Sequence, residues 1–181
     1  MPNDSATMPE IAKEERRASP SRPPLEIERI LPLHSLDDLH FFGYRLGIAA
    51  KLFDRCLVKI LQDEQAPVTL SQWRVVAQLH LVETGTVRSL AEGGCVDRAE
   101  VSRAARDLVA DGFVSRTPNR RDRRSPTFSL TPAGLDLYMR LEKPIRAFLH
   151  DLLQPSGKED VEQAASLLWT IAERSLERLN H

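Results

Sequence analysis

TVRSLAEGGCVDRAEVSRAARDLVADGFVSRTPNRRDRRSPTFSL, residues 86–130, is the stretch that decides the fold. Thr86 is placed to cap a short helix over 87–92, and Gly93-Gly94 stops it. Asp97 is placed to cap a second helix over 98–110, with Gly112 as its left-handed stop. Val101, Ala105 and Leu108 recur at spacings of 4 and 3 and form the inward stripe. Arg98, Ser102, Arg103 and Arg106 therefore face outward. A short helix, a tight turn and a helix with an outward Arg/Ser face make a helix-turn-helix.

Two β-prone runs follow, Phe113-Val114-Ser115-Arg116 and Thr127-Phe128-Ser129-Leu130. Between them lies Pro118-Asn119-Arg120-Arg121-Asp122-Arg123-Arg124. Four arginines crowded on one hairpin tip repel one another unless something anionic arrives. Such a finger suits the minor groove of duplex DNA, whose negative potential attracts arginine. The bland alternative is a solvated charged hairpin.

At this point the chain resembles the MarR family of winged helix-turn-helix transcription regulators. The resemblance runs over about 70–134, and helix patterns on either side extend it over roughly 34–180. It is carried by Asp97-Arg98-x-x-Val101-Ser102-Arg103, Gly112-Phe113-Val114 and Arg121-Asp122-Arg123-Arg124, then Leu130-Thr131-x-x-Gly134. The combination is specific, though no single piece is. The expected fold class is mostly α with a small β-hairpin wing. A winged helix-turn-helix head is joined to a helical dimerisation region made by the N- and C-terminal helices.

Composition agrees. The chain has 181 residues, long enough for one domain with a real core, and a net charge of −1. Over 86–126 there are nine arginines against six acids, a local charge of +3, so the remainder sums to −4. A basic surface on an otherwise acidic body is what a DNA-binding protein needs. The two cysteines, Cys56 and Cys95, form no CxxC pair, so neither a metal site nor a disulfide framework is indicated. There is no signal peptide and no apolar run near 18 residues, so the expectation is a soluble cytoplasmic protein that does not engage the membrane.

Residues 1–32 hold six of the twelve prolines and read as a disordered arm. Residues 33–65 form the first helix. Ser35 starts it, and Asp37 and Asp38 suit its dipole. Leu39, Leu46, Phe53 and Ile60 repeat every seven residues, with Phe42, Ala49 and Cys56 at the d positions between them. That seam is buried either against the same chain or against a second subunit, and the resemblance implies the latter in part. Residues 66–134 form the winged head. Ser71 is the expected cap of its first helix, in which Trp73, Val76, Ala77, Leu79 and His80 face inward. Residues 135–181 form the C-terminal dimerisation helices. Thr131 with Pro132 starts the first of these, Leu135, Tyr138, Leu141 and Ile145 mark its inner face, and Pro144 is expected to kink it. Ser156 and Glu159 are the expected capping box of the last helix, whose stripe includes Val161, Ala165, Leu168, Ile171 and Leu179 beside Trp169.

The chemistry of an enzyme is not marked. The five histidines show no HxxxH spacing, and GxSxG, GxxxxGK[ST] and GxGxxG are absent. No catalytic residue, metal or cofactor is expected. The mechanism indicated is DNA binding by a symmetric homodimer on a pseudo-palindromic site, with half-sites roughly 10 bp apart. Ser102, Arg103 and Arg106 are candidates for base edges, since arginine suits guanine O6/N7. Arg98 shares their face, Arg88 and Arg116 suit phosphates, and Arg120, Arg121, Arg123 and Arg124 form the wing tip. The resemblance implies that Asp122 fixes that tip by pairing with an arginine. It also implies a repressor with a small-molecule pocket between the dimer helices and the head, taking phenolic or aromatic carboxylate effectors. His40, Phe41, Tyr44 and Arg45 from the first helix, with Trp73 and Arg74, are the candidates to line it; the plain alternative for each is packing. Two competing readings stand beside this one. One is a redox regulator using Cys56 or Cys95, although burial of Cys56 on the seam would make it inert. The other is a winged-helix module that binds protein, which the outward arginines disfavour.

Overall fold

The computed structural model describes residues 38–94, 96–119 and 125–179, with side chains from Phe42 on. Six helices and three short strands occur among them. The helices are α1 (Asp38–Asp63), α2 (Leu70–Val82), α3 (Val87–Gly94), α4 (Arg98–Ala110), α5 (Pro132–Leu153) and α6 (Lys158–Leu179). The strands are β1 (Gly85–Thr86), β2 (Val114–Thr117) and β3 (Thr127–Leu130). The arm at 1–32 lies outside the described residues.

The chain divides into two compact units, Met1–Ile48 and Ala49–His181. The described part of the first is the beginning of α1, where Tyr44 is exposed and Arg45 half-buried. The second holds the rest of α1 and every other element. Its core gathers Val75, Val76 and Leu79 of α2, Leu90 of α3 and Val101, Ala105 and Leu108 of α4 around Val114, Phe128, Leu137 and Leu141. Each buried Val, Leu or Phe among them contributes roughly 1.5–3 kcal/mol by leaving water.

Local chemistry sets the boundaries. Thr69, not Ser71, caps α2: its hydroxyl accepts from the Gln72 N–H at 3.3 Å while the Gln72 side chain accepts from the Thr69 N–H at 2.8 Å. This reciprocal capping box ties off two orphan donors at once, and one cap suffices. Ser71 is the second residue of the helix and its hydroxyl donates to Glu100 instead. Val75 is buried in α2, whereas His80, expected inside, is exposed with its ring 3.8 Å from that of Tyr138. In α5, Leu137 is buried and Leu135 exposed, a correction to the expected stripe, and the helix runs on through Pro144. Gly157 and Asp160 replace the expected Ser156/Glu159 box at the start of α6, the Asp160 carboxylate accepting from the Gly157 N–H at 3.3 Å.

The heptad seam of α1 is split. Within the second unit Leu57 and Leu61 are buried, Phe53 and Ile60 half-buried, and Ala49 and Cys56 exposed. The buried line runs one position beyond the expected one, so Cys56 does not have the burial assigned to it. The last helix buries no residue at all, although Leu168, Trp169 and Leu179 carry its stripe.

Candidate nucleic-acid interface

The helix pair forms as the sequence dictates. Thr86 accepts from the Ser89 N–H at 3.1 Å at the start of α3. Asp97 accepts from the N–H groups of Ala99 (2.8 Å) and Glu100 (3.2 Å) at the start of α4. At its far end, Gly112 adopts φ +79°, and the N–H groups of Phe113 and Gly112 return to the carbonyls of Leu108 and Val109. Those two bonds are the Schellman pattern, which needs a residue without a Cβ penalty at the left-handed position. The inner face of α4 is Val101, Ala104, Ala105 and Leu108, all buried. Its outer face is therefore fixed: Arg103 and Arg106 are exposed and Ser102 is half-buried.

Arg103, Arg106 and Arg116 form no ion pair among the described residues. Arg88 and Arg98 differ. Arg88 Nε donates to Glu92 Oε1 at 2.8 Å and Arg98 Nη2 donates to the same oxygen at 3.2 Å. The hydrogen bond from Arg88 holds the Glu92 carboxyl below its ordinary range. One acid thus ties an arginine of α3 to an arginine of α4 on the outer surface. Its spacing from Arg88, four residues, was visible in the sequence; its reach to Arg98 across the turn was not.

The hairpin pairs β2 with β3 in antiparallel register, Ser115 opposite Ser129 and Thr117 opposite Thr127. Their hydroxyls meet at 2.8 Å and 2.9 Å, which locks the two strands side chain to side chain. The two-residue β1, which the sequence did not reveal, pairs with β3 on its other edge and fastens the start of α3 to the hairpin. A cleft of about 480 Å³ opens between α4 and the hairpin, lined by Ser102, Arg106, Arg116 and Ser125 with Val87, Val109, Pro126 and Phe128. It offers two guanidiniums and two hydroxyls to an anion. Arg120, Arg121, Asp122, Arg123 and Arg124 lie outside the described residues, as does Cys95.

Residues 68–125 match the family model of the MarR family. The chain carries a MarR-family domain. The six helices and the three-stranded antiparallel sheet of the described residues match the winged-helix structures of that family. A MarR transcriptional regulator from Methanosarcina mazei Go1 superposes with a TM-score of 0.68 at 20% identity, over 76% of this chain and 98% of that one. A MarR mutant from E. coli, complexed with operator DNA, gives 0.64 at 22% identity over 80% and 96%. NadR in complex with 4-hydroxyphenylacetate gives 0.64 at 22% over 77% and 94%. At these identities the likeness is one of fold. None of the curated proteins matches the chain.

Of the candidate effector residues, Trp73 and Arg74 of the MarR-family head line one cavity. Trp73 is buried and stacks on Tyr138 at 5.6 Å, and Arg74 donates to Asp54 at 2.5 Å. Tyr44 and Arg45 belong to the first unit. The side chains of His40 and Phe41 lie outside the described residues. Among the described residues no group of His, Cys, Asp or Glu could hold a metal ion, and no helix is long and apolar enough to cross a membrane.

Proposed function

We propose that this MarR-family protein is a sequence-specific, double-stranded-DNA-binding regulator of transcription. It acts as a homodimeric repressor on a pseudo-palindromic operator, and a small aromatic effector of phenolic or carboxylate type modulates it. The observation that carries the reading is the outer face of α4. Arg103 and Arg106 are held outward by a fully buried inner stripe, Arg106 lines a cleft with Arg116, and none of the three has an acidic partner among the described residues. Uncompensated guanidiniums on a rigid helix fit base edges and phosphates. Arg88 and Arg98 flank them as backbone contacts, and the 120–124 tip supplies a minor-groove arm fixed by Asp122. The E. coli MarR mutant bound to operator DNA and NadR bound to 4-hydroxyphenylacetate share this fold, which supports both the DNA and the effector halves of the reading. Nothing in the site calls for catalysis, and an intracellular location follows from the target.

The test is selection on genomic DNA at about 0.15 M salt, followed by sequencing of what is retained. Enrichment of a few pseudo-palindromic sites is expected. Arg103→Ala and Arg106→Ala each should lose about 1–3 kcal/mol at the selected site and relax its sequence at one position. Retention without enrichment, vanishing uniformly with salt, would leave only non-specific contact and overturn the proposal.

A further inference from the structure

The cleft between α4 and the hairpin holds one side chain that the reading of DNA does not call for. Ser125 stands in its wall beside Ser102, Arg106 and Arg116. It lies two residues before β3 begins, outside the strand ladder. Pro126, which follows it, favours extended backbone at Ser125 and brings no N–H of its own. Ser125 is half-buried, and its hydroxyl has no hydrogen-bond partner among the described residues.

The two arginines of the cleft come from different elements. Arg106 belongs to the outer face of α4, and Arg116 to β2, opposite Phe128. Both are exposed, and among the described residues neither has an acidic partner and no acid lines the cleft. Two like charges on one cleft raise its potential, and a dianion held between them lowers it. A phosphate ester accepts from several N–H groups at once, and the guanidinium fork matches its oxygens in pairs. The cleft, at about 480 Å³, has room for a phosphate carried on a serine side chain. The sequence supplies an independent observation. Arg120, Arg121, Arg123 and Arg124 come just before Ser125 in the chain. An enzyme with an acidic substrate groove would recognise such a stretch by charge.

We propose that Ser125 is a phosphorylation site, that Arg106 and Arg116 receive its phosphate within the same chain, and that the modification withdraws both arginines from DNA. The donor is a nucleoside triphosphate, and the catalyst is a protein kinase selective for serine preceded by arginine. Ser125 Oγ attacks the γ-phosphorus. The Oγ–P bond forms as the bond from that phosphorus to the β,γ-bridging oxygen breaks. The nucleoside diphosphate leaves with that electron pair, and the hydroxyl proton passes to the base of the kinase. The ester carries a charge of about −1.5 to −2 at neutral pH and makes about one to three charge-assisted hydrogen bonds to arginine. A phosphate of the chain itself thus takes the place of a phosphate of DNA. The effect on DNA rests on the DNA-binding reading; the phosphate cradle does not.

The full chain is treated with ATP and a purified arginine-directed serine kinase, and incorporation is mapped by mass spectrometry. Ser125 should be labelled, and Ser125→Ala should lose that label. Phosphorus-31 NMR then follows the phosphoserine across pH. Its midpoint should lie about one unit below that of a phosphoserine peptide spanning 120–130, and Arg106→Gln and Arg116→Gln should each move it back toward the peptide. The peptide carries the same flanking arginines, so the difference isolates the cleft. On random duplex at low salt the phosphorylated chain should bind at least ~10-fold more weakly than the untreated one, with a salt slope smaller by about 2. The same treatment of Ser125→Ala should leave its duplex binding where it was. Labelling of the peptide but not of the full chain, a midpoint equal to that of the peptide or indifferent to both arginines, or duplex affinity unaltered by the phosphate would each overturn the proposal. The NMR readout contains no DNA. A held phosphate on a chain that selects no operator would sink the regulator and spare the cradle; operator selection by a chain whose phosphate is not held would do the reverse.

Discussion

At the scale of single residues, Gly134 carries a constraint out of proportion to its size. A Cβ built there would lie 2.0 Å from the carbonyl oxygen of Phe113 and 3.0 Å from its carbon. Both atoms are backbone and cannot swing aside. The same carbonyl accepts from the Thr131 N–H at 3.0 Å, while the Thr131 hydroxyl donates to the Gly112 carbonyl at 2.7 Å. Gly134→Ala must push α5 away from this junction and should destabilise the head by about 3 kcal/mol, read as a fall in the urea midpoint with an unchanged slope. A midpoint within error of the parent would show that the junction yields. The Leu130-Thr131-x-x-Gly134 pattern was legible in the sequence, and so was the capping role of Thr131. The reason for the glycine was not, because the atom it must avoid belongs to Phe113. Ser71 teaches the converse. Thr69 and Ser71 both offer a hydroxyl near the start of α2, and the choice between them is settled by Gln72 on one side and by Glu100, 29 residues away, on the other.

At the scale of elements, α3 and α4 are joined on their outer surface through Glu92. Its folded-state pKa is lowered, chiefly by the hydrogen bond from Arg88. Its contribution is therefore present above the ordinary carboxylate range and is lost as pH falls through the lowered value. The pair is fully exposed, so the effect on stability is small and screened by salt. Glu92→Gln should lower the thermal midpoint slightly at neutral pH, and the difference from the parent should close in acid; a gap that persists in acid would mean the charge is not what ties the helices. The substitution also releases Arg88 and Arg98, so low-salt binding to random duplex should rise and its salt dependence steepen. Both helices, their caps and the two long strands were legible because each is specified within a dozen residues: Asp97 by its neighbours, Gly112 by the turn it must make. β1 was not, since two residues carry no alternation, and its partner lies across the head in β3.

At the scale of the whole molecule, the sequence could show that a stripe wants burial but not whose surface buries it. The α6 stripe and the Ala49/Cys56 line of α1 are periodic, yet within the chain they face water. Leu168, Trp169 and Leu179 are 50%, 73% and 81% exposed, a surface that soluble monomers rarely carry contiguously. The proposed homodimer accounts for it. Light scattering at micromolar concentration should give the mass of two chains, and Leu168→Glu with Trp169→Glu should give one and weaken operator binding; a parent protein of single-chain mass would remove the dimer. The hairpin root has a different lesson. Gly112, Phe113, Thr131 and Gly134 pin it to α5, β1 pins it to α3, and none of these contacts involves residues 118–126. Anchorage thus lies at the root of the hairpin: its two ends are tied to the helix that precedes the reading helix and to the one that follows the wing, so the reading helix is aimed from behind, by the frame that carries it.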